Sequence, residues 1–283
     1  MLDTLSEHGC FGGVQGFYSH HSVCNTLPMR FSVYQPPQAK RGPVPVLFFL
    51  AGLTATEETF MIKAGAQRLA AEYGLMLVAT DTSPRNTGID GATTDWDFGE
   101  GAGFYLDATE APWRAHFQME TWVTRELREL VCADFPAHPD RIGIFGHSMG
   151  GHGALTLALR HPHIYKSVSA FAPICAPMQG AWGEKALGNY LGPERSLWGA
   201  HDASLLMRER HAPFPRGILI DQGLDDQFFG QRQLLPEIFE AACVSANQPL
   251  SLRRHAGYDH SYYFVSTFMA DHLAFHLANL TAD

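Results

Sequence analysis

Several features that would assign this 283-residue chain to a special class of protein are missing from its sequence. Its five cysteines are scattered without a C-x-x-C pair, which predicts neither a disulfide framework nor a thiolate zinc site and fits a reducing cytoplasm. The longest apolar run, residues 46–51, is far too short to span a bilayer. Residues 1–10 lack the basic and apolar segments of a signal peptide. These absences predict a cytoplasmic protein without a membrane anchor.

Positive charge is also scarce. The 20 Lys and Arg residues are outnumbered by 29 Asp and Glu residues, giving a net charge of −9 and an isoelectric point near 5.9. An acidic chain is repelled by nucleic acid and by anionic membrane surfaces, so neither is an expected partner. The 46% of apolar residues can build one large core, and we expect a single domain over residues 1–283.

Apolar patterns divide the chain into strands that come to alternate with helices. The first two predicted strands, residues 11–18 and 29–35, suit an antiparallel edge, whereas the later strands are continuous apolar runs typical of a buried parallel sheet. The later strands are predicted at residues 44–50, 75–79, 142–145, 167–171, 217–221 and 250–254, and the helices at 57–73, 116–133, 154–159, 231–245 and 262–280. This order predicts an α/β fold with about eight mostly parallel strands and helices on both faces.

Two irregular segments, residues 81–115 and 173–215, interrupt this alternation. Both are rich in aromatic residues, and a long loop in a compact domain is usually functional. We expect the first segment to form part of a pocket wall.

The pattern G-x-S-x-G occurs at residues 146–150, between a predicted strand and a predicted helix. In that context the central residue, Ser148, is expected on a sharp turn that exposes its hydroxyl above a helix N-terminus. The flanking glycines remove side chains that would collide there. The sequence therefore predicts a reactive serine.

A serine needs a general base, and the base needs an orienting carboxylate; after this motif the expected order is serine, acid, histidine. The strand at 217–221 leads to two adjacent carboxylates, Asp225 and Asp226, which spacing alone does not separate. The strand at 250–254 leads to His260, which position favours over His255 as the base.

Other residues near these motifs have simpler explanations. We expect His147 and His152 to pack around the serine turn, and Asp259 to be solvated. The expected oxyanion hole consists of the backbone amides of Leu53 and Met149.

The sequence gives no reason to expect a cofactor or a metal. The glycine-rich stretch at 99–103 resembles a dinucleotide loop, but no predicted strand precedes it. The histidines at 20–21 and 161–163 lack companion ligands at the usual spacing.

Taken together, the motifs resemble those of the S-formylglutathione hydrolases, also called esterase D, a family with the α/β-hydrolase fold. The matching stretches span nearly the whole chain: residues 10–13, 52–54, 81–85, 96–99, 101–105, 145–153, 167–175, 221–223, 225–228 and 257–264. The resemblance implies hydrolysis of S-formylglutathione to glutathione and formate in formaldehyde detoxification, with Ser148 as nucleophile, His260 as base and Asp226 as acid. It also implies a cytosolic homodimer and a small-molecule substrate. The family often carries cysteine where this chain has Ala55, which puts inhibition by thiol reagents at this position in doubt.

Substrate contacts are expected from bulky and basic residues. Trp96, Phe104 and Trp182 could restrict the acyl side to small groups. Glutathione carries two carboxylates, and the candidates to bind them are Lys63, Arg85, Arg114 and Lys185. A general short-chain carboxylesterase or an acyltransferase would use the same triad and is the alternative function.

Overall fold

The computed structural model describes residues 2–281, and its centre is a nine-stranded sheet. Five of its eight strand pairings are parallel and helices surround it, so the predicted α/β fold is confirmed. Across the sheet the strands lie in the order β1-β2-β3-β5-β4-β6-β7-β8-β9. In chain order they are β1 (Leu2–Cys10), β2 (Gly13–His21), β3 (Pro28–Gln35), β4 (Val44–Leu50), β5 (Met76–Thr80), β6 (Ala137–His147), β7 (Tyr165–Phe171), β8 (Ile218–Gly223) and β9 (Leu250–His255). The prediction of one domain over residues 1–283 includes Met1, Ala282 and Asp283, which lie outside the described residues.

The helices connect these strands and cover the sheet. They are α1 (Glu57–Lys63), α2 (Gln67–Tyr73), α3 (Met119–Thr121), α4 (Arg128–Asp134), α5 (Met149–Arg160), α6 (Ala181–Leu191), α7 (Arg195–Trp198), α8 (Ala203–Arg208), α9 (Gln227–Gly230), α10 (Pro236–Ser245) and α11 (Tyr262–Leu280). A π-helical stretch, Trp122–Leu127, joins α3 to α4. None of the helices in residues 2–281 is both long enough and apolar enough to cross a bilayer.

The first strand, β1, was not predicted from the sequence. It is a mostly exposed edge strand without an apolar alternation, and it is held by backbone pairing to β2. A two-residue turn joins the two strands, with φ of 46° at Phe11 and 75° at Gly12, as a type I′ hairpin requires. The predicted strand at 11–18 therefore begins two residues later, at Gly13.

Two predicted helices are divided in the structure. The helix expected at 57–73 is interrupted after α1, where Gly65 adopts φ 67° and redirects the chain. The helix expected at 231–245 begins only at Pro236, and the short helix α9 precedes it on the same connection. The closing helix α11 has the predicted bounds.

The sheet places the predicted site loops at one edge. Because β4, β6, β8 and β9 run parallel to one another, their carboxyl ends lie on the same side. Loops that follow such ends form the usual ligand crevice of α/β proteins. The candidate residues Leu53, Ser148, Asp226 and His260 each follow one of these four strands.

Candidate active site

Ser148 occupies a tight turn between β6 and α5. Its backbone has φ 59° and ψ −121°, which is strained for a residue with a side chain. A Cβ at Gly146 would collide with the carbonyl of Gly150, and one at Gly150 would collide with the carbonyl of Leu50. The two glycines of the sequence motif are therefore required for the turn that holds Ser148 at the edge of the sheet.

His260 lies on the loop between β9 and α11 and contacts a buried carboxylate. Its Nδ1 is 2.5 Å from Oδ2 of Asp226, a residue that is only 2% exposed. The other oxygen, Oδ1, accepts hydrogen bonds from the amides of Phe228 at 2.8 Å and Phe229 at 3.3 Å. Gln222 donates to Oδ2 at 3.2 Å. These donors fix the carboxylate, which in turn orients the imidazole.

The alternative acid and base, Asp225 and His255, make no side-chain hydrogen bond with Asp226 or His260. Asp225 is exposed, and only its amide is engaged, with the carbonyl of Tyr258. His255 is the last residue of β9, and its Nε2 is 3.1 Å from Asp221. Asp259 is exposed and accepts hydrogen bonds from Ser261 at the start of α11. The structure thus brings together Asp226 and His260, and neither Asp225 nor His255 joins them.

Ser148 and His260 line one cleft of about 390 Å³. This volume is in the range of small-molecule sites, about 300–1,000 Å³. A larger cavity of about 620 Å³, lined in part by Arg30 and Glu57, contains neither residue. The cleft is lined by Gly52, Leu53, Thr54, Ala55, Thr59, Lys63, Trp96, His147, Ser148, Trp182, Phe228, His260 and Tyr262.

Two backbone amides beside the serine are suited to bind an oxyanion. Met149 is the first residue of α5, where the helix leaves its amide unsatisfied and its dipole favours negative charge. Leu53 lines the cleft next to Gly52, where a Cβ would lie 3.1 Å from the Cβ of Ser148. Within residues 2–281 no acceptor pairs with the amide of Leu53 or Met149. Both donors are thus available to a ligand.

The two histidines that flank Ser148 are buried and neutral. Burial lowers the pKa of His152 to about 3. Burial, and next the charge of His260, lower the pKa of His147 well below its usual value. The ring of His147 lies 4.5 Å from that of His260 and lines the cleft, a position that the sequence analysis missed. A neutral ring there adds no charge to repel a protonated His260.

An aromatic wall, which we define as Trp96, Trp182 and Phe228, stands beside the base. The ring of Phe228 is 4.8 Å from that of His260 and 4.8 Å from that of Trp182. Trp96 meets Trp182 edge to face at 5.3 Å. Phe228 was not predicted, although it follows Asp226 by two residues on the same loop.

Phe104 does not belong to this wall, contrary to the expectation from the sequence. It is fully buried and packs against His152, with ring centroids 5.9 Å apart. Phe104 and Tyr105 both adopt positive φ, and this turn carries the two rings into the core instead of the cleft.

Of the four basic candidates for the substrate carboxylates, only Lys63 lines the cleft. Lys185 is paired with Asp97 at 2.6 Å and Asp95 at 2.8 Å and lies outside the cleft lining, so its contact with substrate stays a prediction. Arg85 is paired with Asp81 at 2.7 Å and lines the larger cavity. Arg114 is exposed and lies outside the cleft lining.

Within residues 2–281 no three His, Cys, Asp or Glu side chains are grouped as metal ligands would be. The glycine-rich stretch at 99–103, which resembles a dinucleotide loop in sequence, forms part of the long loop at 81–115. The carboxylate of Glu100 accepts hydrogen bonds from the amides of Asn86 and Thr87.

Comparisons with known proteins identify the family of this chain. A family model described as "Putative esterase" matches residues 25–275. The chain is 52% identical to the S-formylglutathione hydrolase of Mus musculus over 99% of both chains, and 51% identical to that of Paracoccus denitrificans over 98% of both. A solved structure of an S-formylglutathione hydrolase from Agrobacterium tumefaciens superimposes with a TM-score of 0.95 at 48% identity, covering 98% of this chain and 99% of that one. The chain therefore belongs to the S-formylglutathione hydrolase family of esterases.

Proposed function

We propose that this protein hydrolyses the thioester S-formylglutathione to glutathione and formate, with side activity on short-chain esters. The observation that carries the proposal is the 2.5 Å contact of buried Asp226 with His260, which lines the same cleft as Ser148. Family membership supports the choice of substrate, because relatives at about half identity over the full chain bear that name.

In the first half of the reaction, Ser148 attacks the formyl carbon. Nε2 of His260 accepts the hydroxyl proton as the bond between Oγ and the carbonyl carbon forms. Asp226, bound to Nδ1, stabilises the resulting imidazolium. The carbon–sulfur bond then breaks, and the imidazolium proton goes to the departing glutathione sulfur.

In the second half, water replaces the thiol. His260 removes a proton from the water as its oxygen attacks the formyl ester of Ser148. The ester bond breaks, the serine oxygen regains the proton, and formate leaves.

Negative charge develops on the carbonyl oxygen in both halves. The amides of Leu53 and Met149 are the proposed donors to it. Removing one such donor typically costs about 3 kcal/mol in the transition state. Because both donors belong to the backbone, side-chain substitution leaves them in place.

The aromatic wall is the proposed limit on the acyl group. Trp96 and Trp182 line the cleft with Phe228, and these rings leave little room beside His260. We therefore expect kcat/KM to fall steeply from acetyl to butyryl esters, since added methylenes meet the wall.

We further propose that the protein acts in the cytoplasm, as a homodimer, in formaldehyde detoxification. All five cysteines are free, which suits a reducing compartment. The exposed edge strand β1 and the exposed side chains of Leu5 and Phe11 offer a surface for a second copy. Light scattering gives the mass in solution, and a monomer at working concentration would refute the dimer.

Steady-state kinetics with S-formylglutathione beside p-nitrophenyl acetate test the function. We expect the thioester to be the better substrate by kcat/KM, with release of free thiol, and Ser148→Ala to abolish both reactions. An enzyme that favours the ester, or that transfers the acyl group to added alcohols more readily than to water, is instead a general esterase or an acyltransferase.

A further inference from the structure

The cleft contains a single permanently charged side chain among the described residues, that of Lys63. Lys63 is the last residue of α1, and Thr59 one turn earlier also lines the cleft. Residues four apart share a face of a helix, so α1 presents this face to the cleft. No Asp or Glu belongs to the cleft lining.

The ammonium group of Lys63 is not neutralised by the protein. No ion pair within residues 2–281 involves it, whereas two of the other three basic candidates, Lys185 and Arg85, each have carboxylate partners. The third, Arg114, lies outside the cleft lining. The ring of Tyr262 faces this ammonium group, with Nζ 5.9 Å from the ring centroid. Tyr262 also lines the cleft, so this weak contact keeps the charge beside the cleft.

Electrostatics make this charge important for an anionic substrate. The protein has a net charge of −9, so its overall field repels a carboxylate-bearing thioester. The neighbouring histidine, His147, is buried and neutral, and the aromatic wall is uncharged. Lys63 is thus the side chain of the cleft that can attract a carboxylate before the acyl group reaches Ser148.

We propose that Lys63 binds a carboxylate of the thiol carrier and thereby selects anionic thioesters over neutral ones. The inference rests on the proposed function in one respect, because it takes glutathione, with its two carboxylates, as the carrier. It assigns Lys63 to carrier binding and not to the chemistry of acyl transfer.

The experiment compares Lys63→Met, Lys63→Arg and Lys63→Glu with the wild type on two formyl thioesters. One is S-formylglutathione, and the other is the uncharged formyl thioester of N-acetylcysteamine, which has the same reacting bond. For Lys63→Met we expect kcat/KM on the glutathione thioester to fall about three- to fivefold, mostly through KM, because a solvent-exposed pair is lost. The kcat/KM of Lys63→Met on the neutral thioester should differ less than twofold from that of the wild type. Lys63→Arg should retain most of the wild-type kcat/KM on S-formylglutathione, because the positive charge is kept. Lys63→Glu should lower this kcat/KM further than Lys63→Met does.

Lys166→Met is the matched control, because it removes an exposed lysine from β7 and changes the net charge equally. This variant should have the wild-type kcat/KM on both thioesters. The difference between wild type and Lys63→Met should also shrink at 1 M salt, where charges are screened beyond about 3 Å. Equal losses on the charged and the neutral thioester, or no loss on either, would overturn the proposal.

A separate readout distinguishes this inference from the proposed function. S-methylglutathione has the carrier but no acyl group, and its inhibition constant is measured against hydrolysis of p-nitrophenyl acetate. We expect Lys63→Met to raise this constant about three- to fivefold. If the wild type does not hydrolyse S-formylglutathione, the proposed function is refuted. The inhibition constant of S-methylglutathione still tests whether Lys63 binds the carrier. An unchanged constant would contradict such binding.

Discussion

At the scale of single residues, different local structures position the candidate nucleophile and the candidate acid. Ser148 follows from its motif, because only glycines permit the turn on either side of it. Asp225 and Asp226 cannot be separated by spacing, since adjacent side chains differ only in direction. That direction depends on α9, where Asp226 caps the helix by accepting from two of its amides.

The pair of aspartates offers a matched test of the acid. We expect Asp226→Asn to lower kcat by about 10⁴, because an amide no longer stabilises the imidazolium and favours the wrong tautomer. Asp225→Asn should retain wild-type kcat, since this side chain is exposed. Steady-state kinetics with either substrate check this, together with a thermal melt to verify that the cap substitution leaves the protein folded. Equal activity of the two variants would refute the assignment of Asp226.

At the scale of elements, continuous apolar strands were predictable and the polar edge strand was not. β4 has its predicted bounds because nearly every residue is buried and apolar. β1 is exposed along most of its length and depends on backbone pairing, which leaves no hydrophobic pattern. The loop at 81–115 was correctly expected at the pocket wall through Trp96. Its packing could not be predicted, because tertiary contacts decide which aromatic ring faces the cleft.

An ion pair joins this loop to α6. Lys185 binds both Asp95 and Asp97, which flank Trp96, and Trp182 lies three residues before Lys185 on the same helix. This arrangement holds Trp96 against Trp182, and so fixes two members of the aromatic wall.

We predict that Lys185→Met loosens the wall and relaxes the limit on acyl length. The ratio of kcat/KM for butyryl over acetyl p-nitrophenyl esters should rise about two- to fivefold, the effect expected from losing a partly exposed ion pair. Arg195→Met is the control, because it removes the ion pair of Arg195 with Glu184 of α6. It should leave this ratio unchanged. An unaltered chain-length profile in Lys185→Met would show that the ion pair does not hold the wall.

At the scale of the whole molecule, buried histidines couple stability to pH. His147, His152, His272 and His276 are at most 6% exposed, and burial lowers the pKa of each below the ordinary value of 6.5. Ser167 and Ser169 hydrogen-bond the rings of His272 and His276 beneath the sheet. Asp221 lies 3.2 Å from His272 and opposes the effect of burial on the pKa of that ring, but the net direction is still downward. The folded protein therefore binds fewer protons on these four rings than the unfolded chain does at the same mildly acidic pH.

The unfolded state consequently binds more protons below pH 6.5, and the free energy of unfolding decreases as the pH falls. The free energy of unfolding should therefore be lower at pH 5.5 than at pH 7.5, because each histidine that stays neutral in the fold loses stability over this interval. Urea titrations at the two pH values measure this. His276→Gln should make this decrease smaller, and His8→Gln, at an exposed position, should not change it. Stability that is constant across this interval would contradict neutral buried rings.

The central claim is that Ser148, activated by His260 and Asp226, cleaves a glutathione thioester. The most direct measurement is the rate of free thiol release from S-formylglutathione by the wild type and by Ser148→Ala, with both proteins shown to be folded. The account predicts rapid release by the wild type and a loss of about 10⁴–10⁶ in kcat for the variant. Release by Ser148→Ala within tenfold of the wild type, or none by the wild type, would contradict it.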